Sequence, residues 1–369
     1  MVGLVVWRTG ANRPAARRAS TAFPWEISPP PRSLVPLDQI MPGGPPPDGI
    51  PPIDRPKFES VRSARSWLSD REPVISLVMG TTARAYPLEI LTWHEIVNDE
   101  VVGRPVTVTF CPLCNSAIAF DRRVGRRVLD FGTSGRLYRS NLVMYDRQTK
   151  SLWIQFTGQS VVGSFIGTKL EQLPVQIVSW KAFASAQPNG RVLSRDTGFS
   201  RPYGHNPYPG YDDIASSPFL FNGPSDGRLR PMERIVAVSL GDVSRAYRLR
   251  DIRSRAGDGA AVISDHVGGR SVVILYASGT ASALDADDIA RGRDIGATGV
   301  FEPVISGRHL SFVTRGSAFA DQQTGSTWNV LGQAVDGPLK GSTLPAVAHD
   351  DTFWFVWSAF KPTTDIWRP

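Results

Sequence analysis

The 369-residue sequence predicts a mainly β protein, β-rich α+β in class, built as two tandem pseudo-repeats of short strands with a few short helices. Three observations carry that expectation. Glycine (34) and proline (30) are both abundant, which favours many strands and turns over long helices. Apolar, β-branched runs such as "VTVTF" (106–110) and "VVILY" (272–276) read as strands buried on both faces. The chain also matches itself in four blocks that keep their order.

The first block pairs "VMGTTARAYPLEIL" (78–91) with "SLGDVSRAYRLRDI" (239–252), and the second pairs "GRPVTVTF" (103–110) with "GRSVVILY" (269–276). "VLDFGTSG" (128–135) then matches "HLSFVTRG" (309–316). Last, "DRQTKSLW" (146–153) matches "DQQTGSTW" (321–328). The expected division is a disordered basic tail (1–32), then a Pro/Gly-rich arm with a short helix (33–71) and a first repeat (72–190). A Tyr/Pro-rich loop (191–233) leads to a second, degenerate repeat with an aromatic C-terminal segment (234–369). Helical patterns are confined to 58–70, 87–99 and 179–187. "IMPGGPPPDGIPPIDRP" (40–56) can form neither a helix nor a central strand, and reads as an ordered arm or a linker.

Charge and hydropathy narrow the function. Residues 1–32 hold five arginines and one glutamate, so without them the 41 basic and 34 acidic residues become 36 and 33. No basic run with interleaved aromatics remains, which argues against nucleic acid as a partner. No apolar stretch approaches the roughly 18–20 residues of a membrane span. The apolar run in "MVGLVVWRTG" is too short for a signal peptide, so the chain as written is expected in the cytoplasm.

Duplication supplies a filter. A residue that both units need to fold should occur twice, whereas a residue in one unit alone is free for chemistry. Arg-Ala-Tyr and Asp-x-x-Thr-x-Ser-x-Trp occur twice and read as structural: the polar groups bond their own turn and the Trp packs beneath. Cys111-Pro-Leu-Cys114, the only two cysteines, aligns with Ala277-Ser-Gly-Thr280. His94 aligns with Arg255, and Asn115 with Ala281.

The Cys-x-x-Cys motif admits four readings. As a metal site, Cys111, Cys114 and His94 make a Cys2His set suited to zinc with an open position or to copper, with His205 the candidate fourth ligand. As a thiol–disulfide site, the spacing acidifies the first cysteine, although "FCPLCNSAIAF" continues into another strand instead of a helix. A structural disulfide would close a loop worth about 2 kcal/mol, against about 3 for fifteen residues. Two reduced thiols packing as small apolar groups complete the set. Haem attachment is excluded by Asn115, which stands where a histidine is needed, and no phosphate loop, dinucleotide fingerprint or nucleophile elbow occurs.

His94 also reads as a hydrogen-bonded core residue, with Glu95, Asn98 and Asp99 beside it to cap the helix end or orient the ring. Ser134, Arg136, Ser140 and Asn141 place an arginine among hydroxyl and amide groups, which suits a carboxylate or phosphate; the same residues equally serve a turn backbone. The insert "DTGFSRPYGHNPYPGYDD" (196–213) reads as a long ordered loop lining a site. The expected site therefore joins Cys111, Cys114 and His94 to a small-molecule pocket of Asn115, Ser134, Arg136, Asn141, Arg201 and Tyr203. A redox or metal-assisted reaction on a small polar substrate is the leading class. A thiol–disulfide oxidoreductase and a non-catalytic binding or envelope protein with a local disulfide are the alternatives.

"GGPPPDGIPPIDRPKF", "RAYPLEILTWHEIVND", "TVTFCPLCNSAIAFDR", "SGRLYRSNLVMYDRQTKSLW", "DTGFSRPYGHNPYPGYD" and "FWFVWSAFKPTT" resemble, in order, the domain-of-unknown-function (DUF) family 3179, over roughly residues 33–369. The resemblance implies bacterial and archaeal relatives, many with secretion or lipoprotein leaders, and hence an extracytoplasmic location. It implies no established activity. The family's cysteine motif and its preceding His-Glu-Ile-Val-Asn-Asp map onto Cys111, Cys114 and His94–Asp99.

Overall fold

The computed structural model describes residues 32–257 and 259–369, so the expected tail lies, apart from Arg32, outside the described residues. The protein is mainly β, with several antiparallel sheets. Among the described residues its five α-helices span four to seven residues each. None is long and apolar enough to cross a membrane.

After a single turn, α1 (Val61–Ala64), strands β1 (Pro73–Met79) and β2 (Thr82–Pro87) form a hairpin that runs into α2 (Leu88–His94). A meander follows, β3 (Ile96–Val101), β4 (Arg104–Cys111) and β5 (Ser116–Asp121), and then a long hairpin, β6 (Phe131–Tyr138) and β7 (Asn141–Asp146). The chain returns through β8 (Gln176–Ser179), α3 (Trp180–Ala186) and β9 (Arg191–Leu193) to close the first sheet in the order β8-β1-β2-β9. Strand β9 runs parallel to β2.

A similar order of elements follows in the second half. Strands β10 (Arg234–Leu240) and β11 (Val243–Arg248) precede α4 (Leu249–Ser254), and β12 (Ala260–Val267), β13 (Arg270–Ala277) and β14 (Ala297–Phe301) form the meander. The hairpin β15 (Phe312–Arg315) and β16 (Ala318–Asp321) follows. Strand β17 (His349–Phe353), α5 (Trp354–Phe360) and β18 (Asp365–Ile366) close a sheet of order β17-β10-β11-β18, again with a parallel last pair.

Matched side chains hold matched positions. Tyr86 donates its hydroxyl proton to Asp99 (2.6 Å) and Tyr247 does so to Asp265 (2.7 Å), with Arg84 and Arg245 paired to the same carboxylates. The indole of Trp153 donates to Asp146 (3.0 Å) and that of Trp328 to Asp321 (2.9 Å). Thr149 and Thr324 bond those aspartates in turn, and both indoles are fully buried. These groups build turns in both halves, as their double occurrence in the sequence suggests.

Two helices are shorter than their patterns. The pattern over 87–99 yields a helix only to His94, because Glu95 turns left-handed (φ 57°) and Ile96 opens a strand paired with Thr109. Strand pairing of β-branched Ile96 and Val97 outweighs the helical period there. In 58–70 only Val61–Ala64 is helical, since Phe58–Ser60 pairs with β9. The arm over 40–56 is ordered, with Ile40–Pro42 pairing at the edge of β6 and Asp48 donating its amide to Thr133 (2.8 Å).

The halves interlock through their last long strands. Asn115 donates to the Asp351 carbonyl (3.0 Å), while Thr352 Oγ1 (2.8 Å) and the Phe353 amide (3.2 Å) donate to the Cys114 carbonyl. Gln176 reciprocates by donating to Thr298 and Val330, both at 3.2 Å.

Candidate functional site

The two cysteines flank a tight turn. Pro112 follows the last residue of β4, the Cys114 amide donates back to Cys111 (3.1 Å), and the Asn115 amide donates to Pro112 (3.1 Å). Asn115 takes φ 51°, a value its short polar side chain tolerates, so that Ser116 can pair with Cys111 and start β5. In the second half β13 and β14 are separated by residues 278–296, and Gly296 (φ 72°) stands immediately before β14. Asn115 thus corresponds to Gly296 and not to Ala281, which lies inside that longer connection.

Both cysteines are free thiols, 1% and 0% exposed. The Ser140 carbonyl oxygen lies 3.5 Å from Cys114 Sγ and 4.0 Å from Cys111 Sγ, and Asn141 Nδ2 donates to Cys114 Sγ at 3.4 Å. Asn141 is itself fixed, donating to Gln155 (2.8 Å) and accepting from the Phe156 amide (2.9 Å). The hairpin that delivers these groups spans Phe131–Asp146, whereas its counterpart spans only Phe312–Asp321. Its two-residue tip, Arg139 and Ser140, is left-handed at both positions (φ 53° and 64°), where the shorter hairpin uses Gly316 at its tip. Such a turn normally recruits Asn-Gly, so Arg-Ser there stores strain.

Glu95 completes the group. Its carbonyl accepts from the Phe110 amide (2.8 Å), placing it beside Cys111 across β3 and β4. The residue is 7% exposed, and among the described residues no hydrogen bond reaches its carboxyl group. Four of the nine left-handed non-glycine residues among the described residues lie close to the cysteine turn: Glu95 across the sheet from it, Asn115 directly after Cys114, and Ser140, whose carbonyl faces both sulfurs, with Arg139 before it.

The thiols differ in acidity. Burial pushes Cys111 up, but the hydrogen bond from the Cys114 thiol and those from backbone amides of Leu142, Cys114 and Leu113 outweigh it and hold Cys111 below an ordinary thiol. Cys114 is driven well up by burial, by that same hydrogen bond and by the charge on Cys111. Glu95 is driven well up by burial and by the nearness of Cys111. The turn's amides thus do what a helix N-terminus does elsewhere.

His94 belongs to another group. Its Nδ1–H donates to the Pro51 carbonyl (2.6 Å), leaving Nε2 to accept from the Tyr203 hydroxyl (2.6 Å); Thr197 Oγ1 lies 2.6 Å from that hydroxyl. Burial pushes the imidazole down to about 4, outweighing the upward pull of the Pro51 carbonyl, with Arg201 adding a smaller downward push. Both ring nitrogens are therefore engaged away from the thiols. His205 is exposed; its backbone amide donates to the Pro202 carbonyl (3.0 Å) and its carbonyl accepts from the Trp93 indole (3.1 Å).

The residues expected in one site fall into three groups. Asn115 and Asn141 stand with Cys111 and Cys114. Arg201 and Tyr203 stand with His94. Ser134 bonds the Val143 carbonyl and the Arg136 amide at a bulge in β6, and Arg136 reaches the Ile40 carbonyl (3.4 Å) in the arm. Among the described residues no three His, Cys, Asp or Glu side chains converge to hold a metal, so the expected Cys2His centre is not assembled. A four-coordinate zinc site lacks its third and fourth donors, and no step is derived through zinc or copper.

A family model described as "Protein of unknown function (DUF3179)" matches residues 47–364. The chain belongs to the DUF3179 family. No curated protein and no solved structure is detectably similar to it. Within this DUF3179 chain, sequence alone missed the placement of Glu95 and Ser140 beside the two sulfurs. Glu95 adjoins the singled-out His94, but nothing in its sequence context signals a left-handed backbone.

Proposed function

We propose that Cys111 and Cys114 form a dithiol–disulfide redox centre, in a protein built from one duplicated unit of which only the first copy keeps this chemistry. The observation that carries this reading is left-handed backbone at Glu95, Arg139 and Ser140 beside two buried sulfurs that face one carbonyl oxygen. Left-handed non-glycine residues are costly, of the order of 1–3 kcal/mol each when strongly strained, and they persist at sites where they set up chemistry. Mere packing of two small apolar groups requires none of them, nor a buried acid beside them.

In the reductive direction the Cys111 thiolate attacks one sulfur of a substrate disulfide, forming a mixed disulfide and releasing the first substrate thiolate, which takes a proton. The Cys114 thiol then loses its proton and attacks Cys111 Sγ, releasing the second thiolate. Two electrons pass to the substrate, which leaves as two thiols, and the protein retains a Cys111–Cys114 disulfide. The proton that Cys114 gives up passes to the departing second thiolate. Asn141 holds Cys114 Sγ in line. Extra acidity at Cys111 and reduced acidity at Cys114 separate the attacking and resolving roles.

Cys114→Ser tests the assignment. Incubated with glutathione disulfide, this variant should accumulate a stable mixed disulfide on Cys111, seen as an added glutathione by mass spectrometry, whereas Cys111→Ser should not. An adduct on neither cysteine, or chiefly on Cys114 in the Cys111→Ser variant, would overturn the assignment. Stoichiometric zinc or copper retained by purified wild type and lost from Cys114→Ser would favour the metal reading over this one.

A further inference from the structure

A sulfur with no exposed surface cannot be attacked, because exchange needs a third sulfur in line with the bond that breaks. Cys111 and Cys114 are buried, and the segment between the halves lies against their turn. Tyr211, 7% exposed, packs in the same core as both cysteines and edge-on against Phe353, with ring centroids 6.2 Å apart. Its hydroxyl donates to the carbonyl of Leu113, between the two cysteines (3.0 Å), and accepts from the amide of Phe219 (3.2 Å).

We propose that the Tyr211 side chain is the plug of the thiol pair, and that the exposed strap 213–221 is the latch that holds it in place. This rests on the redox reading for its purpose, though not for its geometry. The strap has firm ends. Asp212 is buried in ion pairs with Arg234 (2.5 Å) and Arg293 (2.8 Å), and Asn222 donates to the Gln39 carbonyl (3.1 Å) while accepting from the Arg139 amide (3.3 Å).

Between those ends, 213–221 bonds the Gly210 carbonyl through the Asp213 amide (3.2 Å) and Ser216 Oγ (3.3 Å) and the Tyr211 hydroxyl through the Phe219 amide, and Phe221 packs edge-on against Phe355 (5.1 Å). Among the described residues, one hydrogen bond comes from outside residues 210–221: Ser140 Oγ donates to the Phe219 carbonyl. Ile214, Phe219 and Leu220 are 39%, 41% and 37% exposed, and Leu220 is left-handed (φ 48°). The latch is thus weakly held, strained and apolar, while its hinges are fixed. That pattern marks a local opening well below the cost of global unfolding. Ser140 couples the two events, since its carbonyl faces both sulfurs and its hydroxyl holds the latch. With the Phe219 amide and carbonyl freed together, the ring can turn out about an immobile backbone at Asp212.

Alkylation by N-ethylmaleimide, followed by mass spectrometry of the folded full-length protein, reads the opening whether or not the pair turns over. Tyr211→Phe keeps the ring and removes its hydrogen bonds, and Ser140→Ala frees the latch. Each should speed labelling by about fivefold to tenfold, a hydrogen bond being worth about 1 kcal/mol. Ile263→Val in β12 lowers global stability by about 1 kcal/mol without touching the strap, and should leave the rate unchanged. Equal acceleration by Ile263→Val would mean the thiols are reached by global unfolding, and would overturn the plug. So would wild-type labelling as fast as in urea, or unchanged rates in both strap variants. Failure of the redox reading shows separately, as the absence of a glutathione adduct on the labelled cysteine.

Discussion

Glu95 joins a left-handed backbone to a buried carboxyl group that, among the described residues, accepts no hydrogen bond, beside the more acidic of two thiols. Because the folded protein raises this group above its ordinary value of 4.5, the native state binds the proton more tightly than the unfolded chain does. Its contribution is fully present below that value and is lost as pH rises above it. Glu95→Gln removes that dependence. The stability of the variant relative to wild type, measured by urea unfolding, should therefore grow by about 1.4 kcal/mol per pH unit above pH 5, until the folded group itself ionises. A difference constant from pH 5 to pH 8 would show that the carboxyl group is ionised in the fold. None of this was legible in the sequence, where Glu95 reads as an ordinary helix-end acid.

At the scale of elements, α2 and the hairpin β6–β7 decide where the chemistry sits. The end of α2 separates neighbours: His94 turns to Pro51 and Tyr203, and Glu95 turns to Cys111. His94 is held neutral, down to about 4 against 6.5, so the unfolded chain takes up a proton that the fold refuses. Stability should fall by about 3 kcal/mol as pH drops from 7 to 4 on this group's account. His94→Gln should remove that share of the acid sensitivity, measured as urea midpoints at pH 7 and pH 4; an acid loss as large as that of wild type would contradict the assignment. The strands were legible because "VTVTF" and "VVILY" are near-continuous apolar, β-branched runs. The extra length of β6–β7 was not, since self-comparison aligned Gly135 with Gly316 and hid the residues that carry Ser140 and Asn141 to the thiols. The helical pattern over 87–99 misled because a buried helix end and a buried strand share the same residue types.

Across the whole molecule, two runs of matching elements exchange their last long strands' contacts, so the Cys111–Cys114 turn is braced by Asp351, Thr352 and Phe353 of the other half. The aromatic C-terminal segment, read from sequence only as a family motif, supplies that brace together with the buried Trp354 and Trp357 of α5. The connection over 278–296 anchors the chain leading into the strap through Asp285 and Asp287, whose carbonyls accept from the Gly210 (2.6 Å) and Asn206 (2.7 Å) amides. Only the assembled fold could reveal that, because the partners lie some eighty residues apart. The result is a rigid frame around one strained, covered pair of sulfurs, and the account stands on whether that pair exchanges electrons. Equilibrating the intact protein across graded ratios of reduced to oxidised dithiothreitol, and counting free thiols by mass after acid quenching, measures it directly. The account predicts one reversible transition in which both thiols disappear together with a two-electron slope, and none in Cys111→Ser. Two thiols that stay reduced at every ratio, or a bond that no ratio opens short of unfolding, would contradict it.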